Sequence, residues 1–104
     1  KTDDEVLANT LAVLEAGQPD LLLVHFHGID DAGHRYGPGA PEEQAMISFV
    51  DQAVEQILAN LKPDTLVIIF ADHGMHLESN EGRQGNHGNL IEEDMLIPIF
   101  LVVR

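Results

Sequence analysis

Two continuous apolar runs constrain the fold of this chain more than any other feature. The runs "DLLLVHF" at residues 20–26 and "TLVIIFA" at residues 65–71 do not alternate apolar with polar side chains. Such runs are typical of strands that are covered on both faces, as in a parallel sheet. Between them, Pro41 and two glutamates open a helical pattern with apolar residues at positions 46, 49, 50, 53, 57 and 61. The order strand, helix, strand predicts a right-handed parallel unit.

The two ends of the chain predict one more helix and one more strand. The segment "TDDEVLANTLAVLEAGQP" combines a capping residue, acidic first-turn residues and leucines at helical spacing, and Gly17 and Pro19 end it. The segment "MLIPIFLVVR" indicates a third strand, in which Pro98 favours a bulge or an edge position. The chain, residues 1–104, is therefore predicted to be a single α/β domain with a layered α/β/α architecture and a mostly parallel sheet.

Side chains that can bind metal follow each apolar run. The segment "GIDDAGHRYGP" places Asp30 and His34 just beyond the first run, and Asp72 and His73 directly follow the second. His87 lies later, between small residues in "GNHG". In open α/β sheets ligands bind beyond the carboxyl ends of the strands, so we expect these side chains to converge. Imidazole together with carboxylate is the ligand set expected for zinc, and it also suits manganese or iron.

Each of these residues also has a purely structural interpretation. A single Asp after a strand most often forms a turn or caps a helix, and a lone His is more often a satisfied residue at the edge of the core. The arrival of several such residues at strand ends favours metal binding. His25 is interpreted as structural, whereas His27 and His76 are candidates for groups that support the site without binding metal.

The composition excludes several classes of function. The absence of cysteine excludes disulfides, thiolate metal sites and thiol nucleophiles. A net charge of −13 with five Lys and Arg residues argues against binding of nucleic acid polymers. No apolar run is long enough to cross a bilayer. Most of the remaining acidic residues are interpreted as solvated surface: Asp3, Asp4, Glu5, Glu42, Glu43, Glu92 and Glu93.

Three motifs together resemble the type I phosphodiesterase/nucleotide pyrophosphatase family of the alkaline phosphatase superfamily. "GIDDAGHRYGP" resembles the family's Asp-x-x-Gly-His segment, "FADHGM" its Asp-His-Gly-Met element, and "GNHG" its later Gly-x-His-Gly. They occur in the family's order and cover most of residues 20–100. The resemblance implies an alkaline-phosphatase-like α/β fold and a two-zinc phosphoester hydrolase, with a phosphate ester or nucleotide-type small molecule as substrate.

The resemblance also implies roles for individual residues. Asp30, His34 and His87 would bind one metal, and Asp72 and His73 would bind the other. Members of the family attack phosphorus with a Thr or Ser bound to that second metal, and a metal-activated water then hydrolyses the covalent intermediate. The two metals are expected to be zinc, with manganese as the alternative.

The nucleophile of the family has no match in this chain. In the family, the nucleophile and one further Asp ligand come from an earlier segment. Of the Ser and Thr residues in the chain, only Ser79 lies on a suitable loop, and its surroundings, "LESNEG", do not match the family's nucleophile segment. The other Ser and Thr residues are Thr2, Thr10, Ser48 and Thr65. The chain is therefore expected to be the C-terminal part of a longer catalytic domain and to be inactive by itself.

Other functions fit the same motifs. A phosphoethanolamine transferase branch of the superfamily has a similar "GID-x-x-GH" segment, and a phosphoglycerate mutase branch shares related elements. The continuation "HRYGP" and Met75 favour the phosphodiesterase over the mutase. A different class is a non-catalytic module that binds metal structurally or forms a homo-oligomer through exposed sheet edges.

Overall fold

A computed structural model describes all of residues 1–104. The chain forms four helices and four strands. In chain order these are α1 (Asp3–Ala16), α2 (Gly28–Tyr36), α3 (Pro41–Ala59), β1 (Leu66–Phe70), β2 (His76–Asn80), β3 (Arg83–Asn86), α4 (Glu92–Met95) and β4 (Ile99–Val103).

Both predicted helices are confirmed, and they enclose a small core. The Thr2 hydroxyl caps α1 by accepting a hydrogen bond from the backbone N–H of Glu5 at 3.3 Å, and α1 ends before Gly17. Helix α3 begins at Pro41, whose fixed φ suits the first helical turn. Few side chains of the chain are buried, and the apolar ones among them are Leu14 on α1, Ala32 on α2 and Ala53 on α3. The three longer helices therefore supply the core of this chain.

The prediction of a mostly parallel sheet is wrong. Strand β1 pairs with β4 in an antiparallel ladder, with Leu66 opposite Val103 and Phe70 opposite Ile99. The segment that connects β1 to β4 begins and ends at the same end of the sheet, where β1 stops. There the Gly74 N–H donates a hydrogen bond to the Asp94 carbonyl at 2.8 Å. The chain thus re-enters the sheet from the end at which it left, and this requires an antiparallel return rather than a crossover. β4 confirms the predicted third strand, with Pro98 just before it.

The other predicted strand, at residues 20–26, does not form a ladder. This segment belongs to no strand, and Leu21 and Leu23 are exposed. An apolar run favours an extended segment, but it does not specify which strand will provide the hydrogen bonds. Here β1 pairs with β4, so the predicted right-handed parallel unit is absent.

A hairpin that the sequence pattern did not predict packs against α2. Strands β2 and β3 are joined at Glu81 and Gly82, which both have positive φ (49° and 84°), as in the tight turns that suit hairpins. A Cβ on Gly85 would collide with the carbonyl oxygen of Gly33. The backbone of β3 therefore contacts the backbone of α2 directly, and this contact brings the end of the hairpin close to the polar face of α2.

The β1–β4 sheet leaves apolar side chains exposed. Leu66, Ile68 and Phe70 on β1 are more than half exposed, as are Phe100 and Leu101 on β4. The predicted association of copies through this sheet stays a prediction. None of the helices has the length and apolar character needed to cross a bilayer.

Candidate metal centre

Helix α2 carries Asp30 and His34 on one face. No helix is predicted for this segment from the sequence, whereas the structure has one from Gly28 to Tyr36. The two residues are four positions apart, so they lie one turn apart on the same side, and His34 Nε2 is 3.4 Å from Asp30 Oδ1. Asp30 also lies in the first turn, where the helix dipole favours a carboxylate. The i, i+4 spacing of a carboxylate and an imidazole was the available sign of a helix.

Two further loops bring His73 and His87 to the same carboxylate oxygen. His73 follows β1, and its Nε2 lies 3.5 Å from Asp30 Oδ1. His87 follows β3, and its Nε2 lies 3.3 Å from the same atom. The rings of His73 and His87 stack with their centroids 3.6 Å apart. We refer to Asp30, His34, His73 and His87 as the Asp30 cluster.

The backbone fixes the orientation of two of these imidazoles. His34 Nδ1 lies 2.8 Å from the carbonyl oxygen of Gly85, and His73 Nδ1 lies 2.7 Å from that of Gly74. A carbonyl oxygen only accepts hydrogen bonds, so each Nδ1 must carry the proton. In the neutral imidazoles, each Nε2 then has a free lone pair that faces Asp30. Metal-binding histidines commonly use this arrangement, in which the outer nitrogen donates to a carbonyl or carboxylate.

Asp30 Oδ1 has no hydrogen-bond partner although it is a buried oxygen. Buried polar atoms in proteins are nearly always hydrogen-bonded, and an unpaired one costs about 1–3 kcal/mol. Here a negative oxygen faces imidazole nitrogens at 3.3–3.5 Å, which is longer than a charge-assisted hydrogen bond. A cation between these atoms would remove the repulsion. The ligand atoms of Asp30, His73 and His87 lie within 4.8 Å of one another, so the donor set fits one metal ion.

The spacing and chemistry of the donors agree with zinc. Two ligand atoms of a tetrahedral zinc, bound at about 2.0–2.1 Å, lie about 3.3–3.4 Å apart. The contacts of Asp30 Oδ1 with the three histidines are 3.3, 3.4 and 3.5 Å. Nitrogen and oxygen donors of this kind also suit manganese or iron. The cluster therefore has the composition and the spacing of a site for a transition metal.

Asp72 lies at the edge of this cluster. Its Oδ1 is 3.6 Å from His73 Nε2, so His73 stands between the carboxylates of Asp30 and Asp72. Its Oδ2 is 3.8 Å from His25 Nε2, and both of these side chains are more than half exposed. The resemblance assigns His73, together with Asp72, to the second metal. In the structure His73 Nε2 also lies next to Asp30, which the resemblance assigns to the first metal. The division of the five residues between two metals stays a prediction.

The remaining candidates lie outside the cluster. The ring of His27 packs against that of His25, with centroids 4.1 Å apart. Arg35, the one basic residue within the three motifs, lies over the ring of Tyr36. The Ser79 hydroxyl donates to Gln84 at 2.8 Å, and the Thr65 hydroxyl donates to the Lys62 carbonyl at 2.7 Å. The structure thus gives neither hydroxyl the position of a nucleophile.

His76 lies between two carboxylates. Its Nδ1 is 2.8 Å from Asp94 Oδ1, and its Nε2 is 2.8 Å from Glu78 Oε2. The hydrogen bond with Asp94, followed by the one with Glu78, raises the pKa of His76 above its ordinary value, although desolvation opposes this. Burial alone would raise the pKa of Asp94, but hydrogen bonds from His76 and from the Asn89 N–H outweigh it, so this pKa is lowered. The raised pKa and the two contacts agree with a positively charged His76 ring between the carboxylates of Asp94 and Glu78.

The interpretation of Asp3 as solvated surface is wrong, and Asp94, which received no interpretation, is a second buried carboxylate. Asp3 is buried, and its two oxygens accept hydrogen bonds from the backbone N–H groups of His27 at 3.0 Å and Gly28 at 2.9 Å. It therefore caps α2, the helix that carries Asp30. Asp94 is 3% exposed. Nothing in "TDDE" or "EEDM" separates these residues from their exposed acidic neighbours, because their partners lie far away in sequence.

Curated proteins similar to this chain are named as ethanolamine phosphate transferases and as a pyrophosphatase/phosphodiesterase. The mouse GPI ethanolamine phosphate transferase 3, catalytic subunit, is 33% identical over 95% of this chain. The human GPI ethanolamine phosphate transferase 2, catalytic subunit, is 28% identical over 98% of it. The human ectonucleotide pyrophosphatase/phosphodiesterase family member 7 is 44% identical over 54% of it. The matched stretches span only 8%, 10% and 13% of the lengths of these proteins.

A family model extends this similarity over nearly the whole chain. The model described as type I phosphodiesterase / nucleotide pyrophosphatase matches residues 1–100. That range includes the extended segment before α2, the Asp30 cluster and the two buried carboxylates. The chain therefore belongs to the type I phosphodiesterase/nucleotide pyrophosphatase family, within the alkaline phosphatase superfamily.

Proposed function

We propose that this chain is the metal-binding part of a two-metal centre that cleaves or transfers phosphoesters. The observation that carries the proposal is the unpaired Asp30 Oδ1, which faces three imidazole nitrogens at 3.3–3.5 Å. Asp30, His34 and His87 would hold the first metal. His73 and Asp72 would hold the second, with His73 beside both carboxylates. Zinc is the favoured ion.

The residues of this chain would contribute binding and orientation. Bound cations of this kind polarise a phosphoester and lower the pKa of a bound hydroxyl or water. The carboxylates of Asp30 and Asp72 would offset part of the cationic charge, and the carbonyls of Gly74 and Gly85 would keep the imidazoles in the tautomer that binds metal. The attacking hydroxyl would come from outside the segments that these motifs cover.

Two reaction classes share this chemistry and differ in the group that finally accepts the phosphoryl unit. In a phosphodiesterase or nucleotide pyrophosphatase the acceptor is water. In an ethanolamine phosphate transferase the acceptor is an alcohol. The names of the relatives that cover 95–98% of this chain support transfer, whereas the higher identity to a phosphodiesterase covers 54% of it. We place the hydrolase first and keep the transferase as the second candidate. A metal-binding module without catalysis is the third.

Metal content tests the shared part of this proposal. The chain is dialysed against zinc and then against zinc-free buffer, and zinc is measured per chain by elemental analysis. Asp30→Asn is compared with Asp31→Asn, which removes an exposed carboxylate from the same helix. Tightly held zinc in the native chain and in Asp31→Asn, but not in Asp30→Asn, supports the proposal. No retained zinc in the native chain, or equal retention in both variants, contradicts it.

The two reaction classes are separated with a longer protein that carries this chain. Hydrolysis of bis(4-nitrophenyl) phosphate without an added alcohol acceptor indicates the phosphodiesterase. Transfer of a phosphoethanolamine unit to an alcohol, without release of free phosphoethanolamine, indicates the transferase. A zinc-loaded protein that does neither agrees with the non-catalytic module.

A further inference from the structure

His73 and His87 stack closely, and they lie on the two loops that flank the β2–β3 hairpin, one before β2 and one after β3. His73 follows β1, whereas His87 follows β3 of the hairpin. The β2–β3 ladder ends at the pair of His76 with Asn86, so beyond that pair other contacts must hold the two loops together. Their ring centroids are 3.6 Å apart, and both Nε2 atoms lie within 3.5 Å of Asp30 Oδ1.

Asp94, in the short helix α4, contacts both loops. Its backbone carbonyl accepts a hydrogen bond from the Gly74 N–H at 2.8 Å, directly after His73. Its side-chain Oδ2 accepts one from the Asn89 N–H at 2.9 Å, two residues after His87. One residue thus binds the backbone of both loops.

The packing around Gly74 makes this contact close. A Cβ at Gly74 would collide with the carbonyl oxygen of Glu93, so α4 rests directly on the backbone of the turn after His73. Glycine is needed here for the close approach of two backbone segments. The loop that carries His73 is therefore fixed against α4 by packing as well as by hydrogen bonding.

His76 holds the Asp94 carboxylate in the orientation that reaches Asn89. His76 Nδ1 lies 2.8 Å from Oδ1 and 3.0 Å from Oδ2 of Asp94, and Glu78 occupies the other ring nitrogen. Both nitrogens are therefore engaged by carboxylates, and His76 has no lone pair left for a metal ion. The Asp94 side chain is 1% exposed, so water does not replace these contacts. We call Asp94 and His76, with the N–H groups of Gly74 and Asn89, the Asp94 junction.

We propose that Asp94, oriented by His76, is a positioning residue that holds the His73 and His87 loops together beyond the last β2–β3 pair and so preorganises the metal centre. The expected effect on metal affinity rests on the proposed function. The expected effect on the contact between the two loops does not, because it is measured in the metal-free chain. Residues that orient metal ligands change metal affinity by about 10- to 100-fold when they are replaced. A comparable loss of affinity is expected when the junction is broken.

The test uses the 104-residue chain with ring-labelled histidine, in the absence of metal. In the native chain, nuclear Overhauser effects are expected between the ring protons of His73 and His87, because the stacked rings are in contact. Asp94→Asn removes the charge that pairs with His76 and is expected to weaken this effect. Asp51→Asn, on the exposed side of α3, removes an equal charge elsewhere and should leave the effect unchanged. Cross-strand effects between β1 and β4 report that each variant is folded.

If Asp94→Asn does not fold, two variants at His76 test the same inference. His76→Leu removes both ring donors and is expected to weaken the His73–His87 effect, whereas His76→Gln keeps a donor for Asp94 and should restore part of it. Zinc affinity is measured in parallel, with an increase in Kd of about 10- to 100-fold expected for Asp94→Asn and His76→Leu.

The outcomes separate this inference from the proposed function. A His73–His87 effect that is absent from the native chain, or that persists in Asp94→Asn and His76→Leu, overturns the inference. A native chain that shows the effect but binds no zinc overturns the proposed function and leaves the junction as a structural device. An effect and an affinity that are lost together, in folded variants, support both.

Discussion

Asp30 Oδ1 and His87 Nε2 lie 3.3 Å apart, although one belongs to the first turn of α2 and the other to the loop after β3. The contact exists because β3 packs on α2 through glycine backbone, at Gly33 and Gly85. His34 and His73 approach the same oxygen from two other directions. The Nε2 lone pairs of His34 and His73 face this oxygen, so a cation or a proton among these atoms would stabilise the arrangement.

Replacement of Asp30 by Asn is expected to stabilise the metal-free chain although it removes a metal ligand. The carboxamide can donate to an imidazole Nε2, so the unpaired buried acceptor disappears and the free energy of unfolding of the metal-free chain rises by about 1 kcal/mol. Urea denaturation without metal measures this change, and Asp31→Asn is the control. If metal-free Asp30→Asn is clearly less stable than the native chain, the carboxylate is stabilised by contacts other than a cation.

Replacement of His34 by Ala is expected to remove a metal ligand while leaving the fold largely intact. The His34 side chain is only 12% exposed, and its ring hydrogen-bonds the Gly85 carbonyl. The zinc Kd should rise by more than about 10-fold, since loss of a ligand exceeds the effect of losing a residue that only orients one. Isothermal titration with zinc measures the change, and circular dichroism checks the fold. Unchanged zinc binding in a folded variant would contradict the assignment of His34.

Replacement of Asp3 by Ala is expected to destabilise α2 from a distance. Asp3 accepts two backbone hydrogen bonds at the start of α2, and loss of a cap of this kind costs about 1–2 kcal/mol. Asp4→Ala, at an exposed neighbouring position, is the matched control. Thermal unfolding should distinguish the two variants, and equal melting temperatures would show that the Asp3 contacts contribute little.

The Asp94 junction is expected to give stability a defined pH dependence. Since the folded pKa of His76 is raised, its contribution is complete below about pH 6.5 and is lost as the pH rises through the folded pKa. Since the folded pKa of Asp94 is lowered, its contribution is complete above about pH 4 and is lost as the pH falls through that lowered value. The difference in stability between the native chain and His76→Gln should be largest between about pH 4 and 6.5.

Urea midpoints at a series of pH values measure this dependence. The groups that face His76 are the carboxylates of Asp94 and Glu78. Glu78→Gln should therefore lower the pKa of His76 in an NMR titration without abolishing its upward shift. A stability difference that stays constant from about pH 5 to 9 would mean that His76 is not charged in the folded chain.

The candidate ligands could be proposed from the sequence because their residue types and their positions after apolar runs are local signals. Asp30, Asp72, His73 and His87 each follow an extended or strand segment, although the parallel sheet from which their convergence was predicted does not form. Helix α3 was predictable for the same reason, since its capping signals and apolar spacing lie within its own residues. The geometry supports metal binding by these side chains, and the zinc measurements test it.

The sheet and the supporting carboxylates were not predictable, because they depend on contacts between distant segments. The pairing of Ile68 with Leu101 is antiparallel only because the intervening chain folds back at one end of β1. Asp3 and Asp94 resemble ordinary surface acids until their partners, the N–H groups of Gly28 and Asn89, arrive from other parts of the chain. Local periodicity carries no information about such partners.

X-ray absorption at the zinc edge of the zinc-loaded chain tests the central claim most directly. With 18 acidic residues, this chain offers many carboxylates that can hold zinc weakly, and only the Asp30 cluster combines a carboxylate with three imidazoles. The account predicts nitrogen and oxygen ligands at about 2.0–2.1 Å with the outer-shell scattering of at least two imidazoles. A shell of oxygen alone, without imidazole scattering, would contradict it and place the zinc on the acidic surface.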